Sequence, residues 1–204
     1  MEVNYNYFPN LGYILSDVPS NLLEELKVLV TEKELQKHNV ELAGNIKKEF
    51  FLPKAVPIFQ DYILHLCKLY DDEFNYLGSI DPCTNAVPFV LKSMWVNFQK
   101  KYEFNPMHVH SGIFSFVIWL QVPFYMKEEQ NNSPGKESNN NVAGCFEFDY
   151  ANILGGYSSH YLHVDKNWEG KICLFPSKLN HAVNPFYSSE EYRITVSGNV
   201  SLKT

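Results

Sequence analysis

Five short runs of β-branched and aromatic residues in the second half of the chain constrain the fold more than any other feature. Pro, Gly, Asn and Ser residues bound these runs, and no helical pattern separates them. The runs cover residues 90–99, 113–122, 144–150, 170–175 and 191–200. Strands that follow one another without intervening helices form antiparallel sheets. The pattern therefore predicts a mainly β fold, either an antiparallel sandwich or a jelly roll.

The first third of the chain has helical periodicity instead. After Ser20, which is placed to cap a helix, leucines recur at helical spacing over residues 22–29. A second amphipathic helix is predicted over residues 56–74. We therefore expect residues 1–88 to form a helical flank and residues 89–204 to form the β core. A length of 204 residues with 45% hydrophobic content suits one domain.

Charge and cysteine content narrow the functional classes. The chain carries 17 Lys plus Arg against 23 Asp plus Glu, a net charge of -6, so no nucleic acid is expected as a partner. The four cysteines form no CxxC pair and the N-terminus does not resemble a signal peptide, which predicts reduced thiols in the cytoplasm. No apolar run approaches the roughly 20 residues that span a bilayer, so no membrane role is expected.

The segment 127–143 is polar almost throughout, and Val142 is its one apolar side chain able to pack. We expect a mobile surface loop here, of the kind that can close over a substrate. It does not mark a domain boundary, because the candidate site residues lie on both sides of it.

Two histidines separated by one residue form the first candidate site. Side chains at positions i and i+2 of an extended segment point to the same face, so His108 and His110 can bind one metal ion. Where iron is held by two histidines and one carboxylate, the carboxylate commonly occupies the second of these positions. Here that position is His110. Three carboxylates therefore stay open as alternative ligands: Asp165, Glu147 and Asp149.

A third histidine and an arginine follow much later in the chain. His181 comes just after a buried-looking strand that ends at Pro176, at a strand-to-loop corner from which it can lean over the sheet. Arg193 and Thr195 share one face of the next strand, and the guanidinium can bind a carboxylate through two parallel hydrogen bonds. The alternative role of the arginine is a salt bridge, with three candidate partners: Glu190, Glu191 and Asp149. Two close histidines, a distant third and a strand-borne arginine are together typical of a non-haem iron centre with a bound keto-acid.

A known family resembles the chain in four segments: MWVN at 94–97, NPMHVHSG at 105–112, FPSKLNH at 175–181 and RITVS at 193–197. The family comprises 2-oxoglutarate and Fe(II)-dependent oxygenases of bacteria and their phages, related to prolyl 4-hydroxylases. The likeness extends over residues 89–200.

The resemblance implies a double-stranded β-helix flanked by helices, with Fe(II) in its open mouth. It also implies a 2-oxoglutarate-dependent dioxygenase that uses O2 and hydroxylates a substrate with release of succinate and CO2. In this family plan His108 and His181 are metal ligands, and Arg193 binds the far carboxylate of 2-oxoglutarate. The chain differs from the wider superfamily at His110, where aspartate is common.

Further residues and functions stay open. Asn97 and Gln99, on one face of an earlier strand, are candidates for hydrogen bonds to the keto-acid or the substrate. A literal HxD motif spans residues 163–165, but it lies too close to His181 in sequence for the several strands expected between the ligands. The alternative functions are a three-histidine iron oxidase, a halogenase and a non-catalytic jelly-roll binding module. The sequence leaves open whether the substrate is a small molecule or a peptide and whether the chain forms a homodimer.

Overall fold

The computed structural model describes residues 3, 10–31, 36–37, 44–80 and 87–203, of which 36–37 are described by their backbone. Within these residues the helices are α1 (Ser20–Leu29), α2 (Ala55–Phe74), α3 (Met126–Asn132) and two short 3-10 turns (Leu77–Ser79 and Lys166–Trp168). The strands are β1 (Ile14–Asp17), β2 (Gln36–Lys37), β3 (Glu49–Phe51), β4 (Phe89–Gln99), β5 (Asn105–His108), β6 (Phe114–Gln121), β7 (Phe146–Ala151), β8 (Tyr157–Leu162), β9 (Lys171–Pro176), β10 (Asn180–Val183) and β11 (Arg193–Leu202).

The strands form two antiparallel sheets. The large sheet has the order β1-β9-β6-β11-β4-β3-β2, and the small sheet has the order β5-β10-β7-β8. Apart from the β7–β8 hairpin, which lies wholly in the small sheet, consecutive strands of the second half of the chain alternate between the sheets, as in a double-stranded β-helix. The predicted fold class, a mainly β jelly roll flanked by helices, is confirmed.

Two hydrophobic clusters account for the packing of the large sheet. One cluster lies between its outer face and the helices, where Phe116 and Ile118 of β6 pack with α1 and α2. The other lies between the two sheets, where Val117 and Trp119 of β6 meet residues of the small sheet. Alternate side chains of a strand point to opposite faces, and β6 is apolar at all positions except Ser115 and Gln121 because both of its faces are buried.

The five predicted runs all correspond to strands, but the sequence pattern missed β5, β8 and β10. β5 and β10 have four residues each, and β5 contains a proline. β8 is an edge strand of alternating exposure whose sequence is mostly polar. Short or polar strands lack the apolar periodicity from which strands are predicted, and their pairing depends on distant neighbours.

The first 88 residues contribute strands as well as helices. β1 pairs with β9, and β3 pairs with β4, so both extend the large sheet. The second helix was predicted correctly to within one residue. The capping role predicted for Ser20 is wrong, because Pro19 occupies the N-cap position and makes no side-chain hydrogen bond there.

The segment predicted as a mobile loop begins instead with helix α3. Its anchor is Glu129, which is fully buried. The Glu129 carboxylate accepts hydrogen bonds from the backbone N–H groups of Tyr187 (2.7 Å) and Ser188 (3.0 Å) and from the Ser188 hydroxyl (2.5 Å). A carboxylate that satisfies three donors can be buried without an apolar side chain. The loop prediction is wrong for residues 127–132, because it considered only apolar anchors, whereas residues 133–143 contain no helix or strand.

The described cysteines, Cys67, Cys145 and Cys173, are buried free thiols, and Cys83 lies outside the described residues. Among the helices of the described ranges, none combines the length and apolarity that crossing a bilayer requires.

Candidate active site

A cavity of about 140 Å³ lies between the two sheets. Three histidines line one end of it and Arg193 lines the other. His181 lies near the start of β10, whereas Arg193 donates a hydrogen bond to the carbonyl of Asn184, just beyond the end of that strand. The apolar part of the lining comprises Ile46, Trp95, Val109, Phe116, Val117, Trp119, Phe146, Phe175 and Val183.

The histidines come from two neighbouring strands and a loop. His108, the last residue of β5, lies directly opposite His181 of β10, so both imidazoles point to the same face, with ring centroids 4.3 Å apart. The ring centroid of His110 lies 4.9 Å from that of His108 and 5.0 Å from that of His181. The nitrogen atoms that can bind a metal all lie within 4.8 Å of one another.

The local structure that positions these histidines differs from the expected one. β5 ends at His108, so His110 lies in the following loop and not further along a strand. The backbone N–H of His110 donates to the carbonyl of Ser177 (2.9 Å), and its own carbonyl accepts from Lys178 Nζ (3.1 Å). His181 lies on a strand of its own and not at the predicted strand-to-loop corner. The β9–β10 turn therefore fixes the loop histidine.

Hydrogen bonds to the backbone set the tautomers of two imidazoles. Nδ1 of His108 lies 2.7 Å from the carbonyl oxygen of Pro106, and Nδ1 of His181 lies 2.9 Å from that of Leu179. A carbonyl oxygen can only accept, so each Nδ1 carries the hydrogen. Each Nε2 then presents its lone pair, and this is the arrangement found in metal-ligating histidines.

The three imidazoles are neutral in the metal-free protein. Burial, together with the proximity of the other two rings, lowers the pKa of His181 to about 3. Burial, together with the proximity of His108 and Lys178, lowers that of His110 to about 4. Burial also lowers the pKa of His108. Metal ions bind the neutral form of imidazole, so the cluster is ready for a metal without first losing protons at neutral pH.

The metal-free protein is expected to lose stability as the pH falls from about 6.5 towards 4. Across this window the unfolded chain, whose histidines have a pKa of about 6.5, binds protons that His110 and His181 do not bind in the folded state. The loss should be on the order of 2 kcal/mol at pH 5 for each of the two histidines, or about 4 kcal/mol together. Urea unfolding at pH 7.5 and pH 5 measures it, and a His110→Asn variant should show a smaller difference. Equal stability at both pH values would contradict the neutral cluster.

The alternative carboxylate ligands do not reach this cluster. In β7, Glu147 and Asp149 alternate with inward-facing phenylalanines and so lie on the opposite face of the sheet from His181. They bond instead to Asn184 (2.9 Å) and Ser159 (2.5 Å) respectively. Within the described ranges, the group close enough to share a metal consists of the three histidines alone.

The HxD motif at residues 163–165 has structural roles. Nδ1 of His163 lies 3.5 Å from Cys145 Sγ. Asp165 accepts a hydrogen bond from the Asn167 N–H (2.9 Å) and caps the second 3-10 turn. Neither residue lines the cavity.

Arg193 is the only arginine of the chain, and its side chain is fully buried. Its Nε and Nη2 donate to Gln99 Oε1 (2.9 and 2.8 Å), and further bonds run to the carbonyls of Gly144 (2.7 Å) and Asn184 (2.8 Å). All of these acceptors are neutral. Burial lowers its pKa to about 10, so the guanidinium is still cationic at neutral pH.

Arg193 does not form the salt bridge that the sequence left open as its alternative role. In the described part of the chain no carboxylate pairs directly with it, and Glu190 pairs with Lys101 instead. Of its five N–H donors, one on Nη1 remains for a ligand. A buried cation held only by neutral groups favours an anion in the adjoining cavity.

The two amides predicted to bind the keto-acid differ in what they can offer. Gln99 holds the guanidinium, because its Oε1 accepts from Arg193, and one N–H of its Nε2 donates to the carbonyl of Glu103 (2.6 Å). The second N–H of Nε2 is left for another acceptor, so its hydrogen bond to the ligand stays a prediction. Asn97 donates to the hydroxyl of Thr195 (3.2 Å), and both side chains line the cavity.

Among the described residues, the side-chain oxygen of Asn97 is buried without a hydrogen-bond partner. The hydroxyl of Thr195 accepts the bond from Asn97, so its own hydrogen remains available for donation. The cavity therefore offers hydroxyl and guanidinium donors at the end far from the histidines, which suits the carboxylate of a ligand.

A Gln99→Glu variant tests whether ligand binding requires that the groups holding Arg193 are neutral. The new carboxylate would neutralise Arg193, so we expect 2-oxoglutarate to bind at least about tenfold more weakly. Titration calorimetry measures this. The matched control is Gln121→Glu, because Gln121 also donates to a backbone carbonyl but lies on the opposite face of the large sheet. Equal losses of 2-oxoglutarate affinity in the two variants would show that the neutrality of the groups around Arg193 has no special role.

Inspection of the sequence alone missed the supporting residues. Gln99 lies 94 positions from the guanidinium that it holds, and no local pattern links them. The single arginine in a chain with 17 Lys plus Arg was a signal that sequence inspection could have used. A lone arginine within an apolar strand indicates a specific partner for its charge.

Comparisons with known proteins agree with this geometry. The family model described as "Putative 2OG-Fe(II) oxygenase" matches residues 93–199, more than half of the chain, and includes the three histidines and Arg193. This chain belongs to the 2OG-Fe(II) oxygenase family. The oxygenase therefore uses Fe(II), 2-oxoglutarate and O2. No curated protein sequence matches it.

Solved structures share the fold of this oxygenase at low sequence identity. A Pseudomonas putida prolyl-4-hydroxylase has 15% identity and a TM-score of 0.57, over 95% of this chain and 94% of that one. An oxidoreductase of the 2OG-Fe(II) oxygenase family from Burkholderia pseudomallei has 13% identity and a TM-score of 0.57, over 93% and 84%. HygX from Streptomyces hygroscopicus, with nickel and 2-oxoglutarate bound, has 12% identity and a TM-score of 0.53, over 94% and 83%.

The donor set of the oxygenase fits iron. Imidazole nitrogen is a suitable ligand for Fe(II), and two of the three rings present their Nε2 lone pairs. Three neutral ligands would leave the full charge of the metal uncompensated, unlike two histidines and a carboxylate. A dianionic co-substrate can supply that compensation.

Proposed function

We propose that this oxygenase hydroxylates an organic substrate with 2-oxoglutarate as co-substrate. The overall reaction converts a C–H bond, O2 and 2-oxoglutarate into a C–OH group, succinate and CO2, which balances atoms and electrons. One observation carries the proposal: three neutral imidazoles and a cationic guanidinium lie at opposite ends of one cavity. That spacing suits a ligand with two acidic ends.

In this proposal His108, His110 and His181 hold Fe(II), which supplies the activation of O2 when bound. Arg193 and Thr195 bind the far carboxylate of 2-oxoglutarate, the first through its remaining N–H and its charge, the second through its hydroxyl. This two-ended attachment orients the keto-acid before O2 arrives.

The apolar walls of the cavity exclude water. Phe146 stacks against His181 with ring centroids 5.7 Å apart, and Phe175 meets the same imidazole edge-on at 4.8 Å. Trp119 is buried and lines the cavity beside them. A dry cavity strengthens the attraction between Arg193 and a carboxylate and suppresses side reactions.

The buried free thiols are compatible with a cytoplasmic location, which belongs to the same proposal. The substrate that we expect is a small molecule or a peptide and not a nucleic acid, because the chain has a net charge of -6.

The proposal is tested with purified wild-type protein. Under anaerobic conditions, Fe(II) plus 2-oxoglutarate should give a weak visible charge-transfer band that neither component gives alone. In air, the same mixture should release succinate slowly even without a substrate. Iron binding without any effect of 2-oxoglutarate on the spectrum would favour the alternative, a three-histidine oxidase that uses no keto-acid. The observation that favours this alternative is the third imidazole, which is present in place of a carboxylate.

A further inference from the structure

We infer that a second cavity, of about 490 Å³, takes an apolar ring-sized group of the substrate that carries an acidic group beside it. This inference rests on the proposed function, since it assigns the substrate side of the same iron centre. The smaller cavity, of about 140 Å³, already contains both attachment points of the co-substrate. The primary substrate therefore needs space elsewhere, close to the histidines.

The second cavity lies on the side of the histidines that is remote from Arg193. Its lining includes Lys178 and Leu179 of the β9–β10 turn, which precede β10, whereas the guanidinium bonds beyond the end of that strand. It also includes Phe148, which lies directly opposite His181 in the small sheet and points to the same face. A ligand here would approach the metal from the side not used by 2-oxoglutarate.

The two cavities share their supporting structure. The carbonyl of Leu179 accepts the hydrogen bond that orients His181, and Lys178 Nζ donates to the carbonyl of His110. Phe148 lines the second cavity and Phe175 lines the first, and their ring centroids lie 5.0 Å apart. The same short turn therefore lines the second cavity and orients two of the proposed metal ligands.

The chemistry of the second cavity defines the ligand class. Tyr13, Phe148 and Tyr150 give it aromatic walls, and Tyr13 stacks on Phe148 at 5.4 Å. The hydroxyl of Tyr13 and Nε2 of His160 are already hydrogen-bonded to each other at 3.1 Å. Among the described lining residues Lys178 is the one with a fixed positive charge. Aromatic walls favour an apolar ring, and the ammonium favours an acid next to it.

The rim of this cavity indicates where a larger ligand would continue. Beyond Tyr150 the β7–β8 hairpin carries two exposed apolar residues, Ile153 (66% exposed) and Leu154 (92%). Neither residue lines the cavity, so we expect no contact with a free acid bound inside it, whereas an acidic peptide bearing the same apolar side chain can extend onto them. Replacing Leu154 by Ser therefore distinguishes an acidic peptide from a free acid as the ligand.

The first experiment uses N-acetylphenylalanine and its uncharged amide as matched probes, titrated by NMR into the anaerobic Fe(II) and 2-oxoglutarate complex and into the metal-free protein. The acid should bind about fivefold more tightly than the amide, as expected for one partly exposed ion pair. Lys178→Gln should remove this preference, and Lys92→Gln, an exposed lysine on the large sheet, should not. Equal binding of acid and amide, or binding of neither, would overturn the inference.

A second variant and a second probe complete the design. Leu11→Trp at the exposed rim should weaken both probes at least about fivefold with little effect on folding, and unchanged affinity would count against this cavity. A hexapeptide containing Asp-Phe should bind more tightly than the free acid and lose that gain in Leu154→Ser if the source is a polypeptide. Probe binding without 2-oxoglutarate binding would refute the proposed function but not this cavity, and the reverse result would refute only the cavity.

Discussion

Replacing His181 by alanine is expected to abolish Fe(II)-dependent succinate release and to weaken Fe(II) binding at least about 100-fold. His181 is 3% exposed and sits against both other imidazoles, and backbone bonding leaves its Nε2 as the metal-binding atom. Removing a ligand costs more than disturbing a residue that merely supports one, which already costs 10-fold to 100-fold in affinity. Metal content after dialysis and succinate release in air measure the two effects.

The matched control for this variant is His65→Ala. His65 lies on the exposed face of α2, remote from the cavity, so its removal should change neither metal content nor turnover. Circular dichroism verifies that the His181 variant is folded. Retention of one equivalent of Fe(II) by a folded His181→Ala protein would exclude the three-histidine centre.

Replacing Arg193 by alanine should abolish 2-oxoglutarate binding while leaving Fe(II) binding largely intact. We expect the affinity for the keto-acid to fall at least about 100-fold, because truncation of a buried, hydrogen-bonded charge costs 2–5 kcal/mol or more. The anaerobic charge-transfer band should disappear, although metal analysis still finds iron. Normal binding of the keto-acid by this variant would show that the anion site is elsewhere.

Arg193→Ala also leaves two buried acceptors, on Gln99 and Gly144, and one partly buried acceptor, on Asn184, without their donors, so a loss of stability is expected. Arg193→Lys provides the second variant, because it keeps the charge and loses the planar fork. It should bind 2-oxoglutarate with an affinity between those of the wild type and the alanine variant. Together with His181→Ala, these variants distinguish the metal site from the anion site. The His181 variant should lose Fe(II) binding, whereas the Arg193 variants should lose affinity for 2-oxoglutarate and keep Fe(II).

Much of the architecture followed from local pattern. The strands β4, β6, β7, β9 and β11 and the helix α2 were predictable because the spacing of their apolar residues matches the periods of strand and helix. Strands β5, β8 and β10 were not, because each is short or polar and exists through its partners. Helix α3 was missed for a related reason: its anchor, Glu129, is buried by donors that lie 58 and 59 residues further along the chain.

The amino-acid sequence by itself determined the types of residue available for the chemistry: two histidines close together, a distant third and a single arginine on an apolar strand. The tertiary structure alone decided how they are held. The turn after β9 fixes His110, and Gln99 presents one neutral oxygen to a guanidinium 94 positions away. Periodicity reports only the face of an element on which a side chain lies. Hydrogen bonds between remote segments form when the sheets close, so no local pattern encodes them.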